Sequence, residues 1–200
     1  AYTQIGHGGD NTDGNFSGAI TLNTAGTFSM AGRDGSDNYS QVGHGGHASN
    51  NGTKAGNISI TSGGAFSANG SDSGLLSYVQ VGHGGHNAPG STDGSITIDV
   101  GGALVLLAGD ADQAYAIIGH GGQTATGNHG VDGDVIDITA DGAITLAAGE
   151  NNNTFAHIGM GGLATNGDHD ADIMVTRTKD DITLTAGKKN ARDDAYVHIG

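Results

Sequence analysis

Apolar and small polar residues alternate along several short segments of the chain, and similar segments return at regular intervals. In the first such group Ile20, Leu22, Phe28 and Met30 are separated by polar or small residues. Alternation with a period of two is typical of β-strands that bury one face. We therefore expect these four side chains to face a core, and the intervening positions, such as Thr21, to face outward.

A motif that begins with an aromatic residue recurs with a period of about 39 residues. Its copies read YTQIGHGG, YSQVGHGG, YVQVGHGG, YAIIGHGG and FAHIGMGG, and a further copy begins as YVHIG. Every tyrosine of the chain opens one of these copies. The chain is therefore predicted to be one solenoid segment without internal domain boundaries. Its five repeats span 1-38, 39-77, 78-114, 115-154 and 155-195, followed by the start of a sixth.

Two further strand-like runs follow the tyrosine motif in each repeat, as GAITLN and TFSMAG do in the first. If the tyrosine motif is counted as the first run of each repeat, an Asp-Gly or Asn-Gly pair precedes the second run and a glycine ends the third. We expect positive φ angles at these glycines, such as Gly52 and Gly70. Three strands per repeat predict an all-β fold, a right-handed parallel β-helix with one coil of about 39 residues. Two shorter coils per repeat and a propeller blade are the alternatives; the single tyrosine run per repeat favours one coil.

Composition and charge narrow the possible partners. The chain has 39 glycines, one proline, no cysteine and a formal net charge of −14. Between Lys54 and Arg177 there is no basic residue to neutralise a phosphate backbone, so we expect no nucleic-acid partner. No apolar run approaches the length of about 20 residues that a membrane span needs, so we expect no membrane insertion. The absence of cysteine removes disulfides and thiol catalysis.

Runs such as GAITLAAG, DITLTAG and GSITIDVGGALVLLAG resemble the repeats of filamentous-haemagglutinin-like large exoproteins. The similarity covers the second and third runs of every repeat. It implies a β-helical surface adhesin of Gram-negative bacteria, exported by two-partner secretion, and hence an extracellular or cell-surface location. The family's amino-terminal secretion domain is not in this sequence, and no ligand-binding residue carries over.

Histidines at one position of the motif suggest a transition-metal site. The column consists of His7, His44, His83 and His120, with Met160 next in line. Imidazole and thioether groups are ligands for soft divalent ions. The competing interpretation, which we favour, is structural: neutral imidazoles that hydrogen-bond to backbone groups of the adjacent coil. The change to Met160 argues against an ion running the length of the column.

Acidic loops suggest calcium, which prefers carboxylate and carbonyl oxygens. The candidate ligands come from three loops: Asp10, Asp13, Asp132, Asp134, Asp168 and Asp170. None of these loops matches an EF-hand. The competing interpretation is a solvated acidic edge that keeps a fibre soluble. Calcium is therefore the candidate cofactor.

The tyrosines are predicted to point outward and to stack on one another. Tyr78 is an odd number of residues from Val81, so the two side chains should lie on opposite faces of the strand. If Val81 faces the core, the ring faces away from it. An exposed ladder of rings could bind sugars, although mutual stacking is the role we favour.

These features predict a non-enzymatic, structural segment of an extracellular fibre or adhesin stalk. The acidic residues drift between repeats and form no clustered catalytic constellation. The alternative function is a binding module in which a repeated column recognises metal ions or a polysaccharide. Expected partners are a second copy, through end-to-end self-association, or the continuation of a longer chain, and a host or matrix glycan.

Overall fold

The computed structural model describes residues 1–176, 179–187 and 195–200, and this part of the chain contains β-strands and no helix. Its strands are, in chain order, β1 (Tyr2–Ile5), β2 (Phe16–Ser17), β3 (Ile20–Thr24), β4 (Phe28–Ala31), β5 (Tyr39–Val42), β6 (Lys54–Ala55), β7 (Ile58–Ser62), β8 (Phe66–Asn69), β9 (Tyr78–Val81), β10 (Thr92–Asp93), β11 (Ile96–Val100), β12 (Leu104–Leu107), β13 (Tyr115–Ile118), β14 (Val135–Ala140), β15 (Ile144–Ala147), β16 (Phe155–Ile158), β17 (Asp172–Thr176), β18 (Ile182–Thr185) and β19 (Tyr196–Ile199).

Every strand pairs in parallel with its equivalent one repeat away, so the chain is a β-solenoid of about five turns. The tyrosine sheet has the order β1-β5-β9-β13-β16-β19, and two more long sheets have the orders β3-β7-β11-β14-β17 and β4-β8-β12-β15-β18. Tyr2 lies opposite Tyr39, and their ring centroids are 4.9 Å apart. This spacing is that of neighbouring strands in a sheet. The prediction of one coil per repeat is therefore confirmed.

The structure adds a short sheet that the sequence analysis did not anticipate. The strands β2, β6 and β10 have two residues each and pair in parallel between the tyrosine loop and the second run. Runs of two residues are too short for a period-two pattern to be recognised. The equivalent positions in the fourth and fifth coils are His129 and His169, and they form single bridges and not strands.

The main core lies between the inner faces of the three long sheets. In the third coil Ile96, Ile98, Leu104 and Leu106 are completely buried. In the first coil Ile20 and Met30 are buried and Leu22 and Phe28 are half-buried, while Thr21 is exposed. The predicted inward and outward faces are therefore confirmed, and the partial exposure reflects a coil that has a neighbour on one side only.

The prediction that the tyrosine rings point away from the main core and stack on one another is confirmed, whereas the alternative of an exposed ladder of rings is wrong for the inner coils. Val81 faces the main core and Tyr78 faces away from it, as the spacing requires. However, the rings of Tyr78, Tyr115 and Phe155 are 0% exposed, because the loop after the tyrosine strand folds back over them. The rings of Tyr78, Tyr115 and Phe155 belong to a second, aromatic core cluster and offer no face to a sugar, whereas Tyr2, at the end of the stack, is 50% exposed.

The repeated glycines serve two different needs. Gly52, in an Asn-Gly turn, has a φ of 84°, as predicted. Gly70, at the end of the third run, does not have a positive φ, so the prediction for it is wrong. A Cβ atom there would overlap the carbonyl oxygen of Ala108 in the next coil. Glycine is required at that position because two backbones approach closely.

Candidate functional site: the stacked histidine column

The rings of His44, His83 and His120 each bond to backbone groups of the preceding coil. Nδ1 of His83 accepts a hydrogen bond from the backbone N–H of His44 at 2.9 Å, and Nε2 contacts the carbonyl oxygen of Gly56 at 2.7 Å. His44 and His120 make the equivalent pairs of bonds. Ring centroids along the column are 4.6 to 5.0 Å apart, and the rings are nearly parallel.

This bonding pattern defines the proton position. A ring nitrogen that accepts from a backbone N–H must carry a free lone pair, so the proton is on Nε2, which donates to the glycine carbonyl. Burial lowers the pKa of His83 well below its usual value and that of His120 to about 4. The rings are therefore neutral at pH 7, and the predicted hydrogen bond to a carbonyl of an adjacent coil is present.

The stacked geometry does not favour a shared ion. Two nitrogens on one zinc ion lie at most about 4.2 Å apart, because each bond is about 2.0–2.1 Å long. Parallel rings with centroids 4.6 Å apart, as His83 and His120 are, hold their equivalent nitrogens at about the same separation. A metal ion in this column would also have to displace a hydrogen bond from each ring. The structural interpretation of the column therefore keeps its preference over the metal interpretation.

Glutamines at a second motif position hold the same loops. Nε2 of Gln80 donates to the carbonyl oxygens of His83, Gly119 and Gly121 at 3.1 to 3.2 Å. Gln41 makes the equivalent bonds to Gly82 and Gly84. Both amides are buried, and each one connects its own coil to the next. The glutamine column therefore supports the loop that carries the histidines.

The tyrosine hydroxyls lie beneath the final glycine of the loop. A Cβ atom at Gly85 would be 2.8 Å from Oη of Tyr78, so only glycine fits over the ring. Burial raises the pKa of Tyr78 well above its usual value, with further contributions from the neighbouring Tyr115 and Tyr39. These phenols stay neutral at any physiological pH, and they contribute packing, with no acid or base role.

A single lysine is buried inside the same loop region. Lys54 is 0% exposed and its Nζ donates to the carbonyl oxygens of Ser49 and Pro89. Burial lowers its pKa, and the carboxylate of Asp13 acts in the opposite direction. Asp13, one of the candidate calcium ligands, thus balances a buried ammonium group in part.

Two of the predicted calcium loops have carboxylates with structural partners. Oδ2 of the buried Asp134 accepts from the backbone N–H groups of Gly94 and Val131, both at 3.0 Å. Oδ1 of Asp10 lies 2.8 Å from Nδ1 of His47. The first carboxylate fastens a turn to the preceding coil, and the second pairs with the side chain that occupies its own position in the next repeat.

The remaining candidate ligands lie at the surface. Asp132, Asp168 and Asp170 are exposed, and Oδ2 of Asp168 accepts from the side chain of Asn128 at 3.3 Å. Asp10 and Asp13 lie in the first coil and are three coils away from Asp132 and Asp134. In the described residues no three histidine, aspartate or glutamate side chains are placed to surround one ion.

Sequence reasoning passed over the glutamine column, Lys54 and the turn-fastening role of Asp134. The glutamine had a visible signal, since it recurs three residues before the histidine in three copies of the motif. Lys54 had none, because Phe16 and Thr92 occupy the same register position in the neighbouring coils.

Comparisons with known proteins found no matching family model, no matching curated protein and no matching solved structure. Among the described residues there is no helix that is long and apolar enough to cross a membrane.

Proposed function

We propose that the chain is a structural segment of an extracellular fibre or adhesin stalk on a bacterial surface. The observation that carries the proposal is the continuity of its side-chain ladders. Identical or similar groups stack from coil to coil in the aromatic, histidine and glutamine columns. The ring nitrogens of the histidines and the amide nitrogens of the glutamines bond to backbone of the adjacent coil. These repeated side chains contact one another and the adjacent coils, as expected for a stiff scaffold.

Resistance of the solenoid to stretching would come from the direction of its backbone hydrogen bonds. Backbone hydrogen bonds between coils run along the axis of the solenoid, as from Gly82 N–H to Val42 O and from Gly119 N–H to Val81 O. Pulling the ends apart would load many of these bonds together. A right-handed path is part of the proposal, because parallel crossover connections are right-handed in almost all known cases. Three long strands per coil form the spine.

Both ends of the described solenoid present core side chains and strand edges. Ile5 is 44% exposed, whereas its neighbour Val42 is 1% exposed; Leu184 is 46% exposed, whereas Leu146 is completely buried. Such edges are templates for a further strand. Under the proposal they are covered by further coils, either of a longer chain or of a second copy stacked end to end.

A binding module for metal ions or polysaccharide is the alternative. The Asp10–His47 contact, with Asp37 3.7 Å from the other ring nitrogen, is the observation that favours it. The buried tyrosine rings weaken the polysaccharide version. A glycan partner would have to use the polar outer faces of the sheets.

Electron microscopy of the purified chain, alone and with calcium or zinc, separates the two functions. The structural proposal expects straight, unbranched rods of constant width whose melting temperature is unchanged by chelators. Stoichiometric ion binding, together with a large fall in melting temperature on chelation, would favour the binding module. Compact particles that never form rods at any concentration would count against the fibre.

A further inference from the structure

Six asparagines of the chain lie in the tripeptide Asn-x-Ser/Thr, the acceptor motif for N-linked sugars. They are Asn15, Asn38, Asn51, Asn57, Asn69 and Asn152. The motif itself is short and does not discriminate among them. The structure does, because transfer needs an accessible carboxamide and an accessible hydroxyl group two residues later.

Three of the six are closed by their environment. The carboxamide nitrogen of Asn38 donates to the carbonyl oxygens of Arg33 and Asp34. Ser71, the hydroxyl residue for Asn69, is buried and donates to Asp34. The third of these sites, Asn152, has its hydroxyl on a buried threonine that donates to Gly149.

Two others are exposed but engaged. Oδ1 of Asn15 accepts from the backbone N–H of Thr53 at 2.9 Å, and Oδ1 of Asn57 accepts from that of Ser95 at 3.0 Å. Each carboxamide thereby fastens its own coil to the next. Rotating the carboxamide to bring its Nδ2 to an incoming sugar would break the Oδ1 hydrogen bond between coils.

Asn51 alone combines the required features. Its side chain is exposed and makes no hydrogen bond with the described part of the chain, and Thr53 is exposed as well. The backbone bends there, with φ angles of 30° at Asn51 and 84° at Gly52. A sugar attached at this point would project from the side of the solenoid and leave the stacking of coils intact.

We propose that Asn51 is an N-glycan acceptor of the folded chain. In the transfer, Nδ2 of Asn51 forms a bond to the anomeric carbon of a sugar activated as a glycosyl phosphate or pyrophosphate. The bond from that carbon to the phosphate oxygen breaks, the phosphate leaves with its electron pair, and the proton lost from Nδ2 passes to a base of the transferase. This modification goes beyond the proposed structural role, and its test is independent of that role.

The test uses the folded, unmodified chain with two donors. One reaction contains a sequon-specific N-glycosyltransferase and UDP-glucose, and the other an oligosaccharyltransferase and a lipid-linked oligosaccharide. A peptide of residues 47–57 serves as the reaction standard in both. Intact mass and peptide mapping are expected to show one modification, first at Asn51, with the productive donor identifying the source of the sugar.

Three variants make the result specific. Thr53→Ala should abolish the modification while leaving Asn51 in place, Thr53→Ser should retain it, and Asn57→Gln should not change it. After unfolding in urea and proteolysis, other sequons should also become acceptors. The proposal is overturned if the folded chain is unmodified while the standard peptide reacts, or if another asparagine is occupied first. Retention of the modification in Thr53→Ala would equally overturn it.

Discussion

At the scale of single residues, the buried imidazoles join neighbouring coils through two hydrogen bonds each. His83 satisfies the buried backbone N–H of His44 and the partly buried carbonyl of Gly56. His7, at the open end of the same column, is exposed and makes only the stacking contact with His44 through its ring. The same residue type in the same motif therefore has two different energetic roles.

We expect His83→Ala to destabilise the chain by about 2–4 kcal/mol, because a buried backbone N–H and a partly buried carbonyl lose their partners. His7→Ala is the matched control and should change the free energy of unfolding by about 0.5 kcal/mol or less. Urea unfolding followed by circular dichroism measures both. Equal losses for the two variants would show that the ring hydrogen bonds are not what stabilises the column.

The same column predicts the response to acid. Burial lowers the pKa of His120 to about 4, against opposing effects of the Gly94 carbonyl and the Asp134 carboxylate. The unfolded chain, with a pKa of about 6.5, binds the proton first as the pH falls. The contribution of this group is therefore complete above about pH 6.5 and decreases down to about pH 4.

For one such group the free energy of unfolding falls by up to about 1.4 kcal/mol per pH unit in that window. We expect His120→Gln to flatten the pH dependence by about this amount between pH 6 and pH 4. Urea midpoints measured at half-unit steps test it. An unchanged slope in the variant would mean that His120 does not resist protonation in the folded chain.

At the scale of the strand and its turns, close backbone contact sets the sequence requirement. The third run ends at Gly70, where a side chain would collide with the backbone of Ala108. Gly26, in the turn before that run in the first coil, has no atom within 4 Å of the position where a Cβ would lie. Neither glycine has a positive φ, so the two differ in space and not in backbone conformation.

We expect Gly70→Ala to destabilise the chain by about 3 kcal/mol or more, since the backbone of a neighbouring coil would have to move. Gly26→Ala should be neutral or slightly stabilising, because alanine reduces the freedom of the unfolded chain. Thermal melts of the two variants provide the comparison. A Gly70→Ala variant with the melting temperature of the wild type would show that the coils tolerate a wider spacing.

At the scale of the whole molecule, the two ends of the described solenoid expose opposite edges of the same three long sheets. The internal contact between successive coils is repeated along the chain, and the same registers would place β3 and β4 of a second copy on β17 and β18. A head-to-tail contact of this kind does not close, so it generates filaments. An incoming first coil in this register would place its β1 where β19 lies on β16.

We therefore expect the chain to associate end to end, and to associate more strongly when residues 196–200 are removed. Leu184→Lys should weaken association because it places a charge on the inner face of β18. Thr183→Lys, on the outer face of the same strand, should not. Sedimentation velocity over a concentration series measures this. A monomer at all concentrations, with or without residues 196–200, would exclude the stacking contact.

Local patterns in the sequence establish the repeat and the face to which Ile98 or Thr21 points, and they favour one coil per repeat. These follow from local alternation and from identical residues in register, which need no knowledge of the rest of the chain. The sequence also indicated that the histidines would bond as neutral rings, because a column of identical groups restricts their charge.

What covers each face depends on the packing of distant segments. Tyr78 points away from the main core, as its spacing requires, yet the glycine loop folds over it and completes a second core. Lys54 is buried by a loop of its own coil and the carbonyl of Pro89 in the next, although its neighbours in register are Phe16 and Thr92. The alternation of a strand fixes which face a side chain occupies, whereas its burial depends on where distant loops pack, and no local pattern records that.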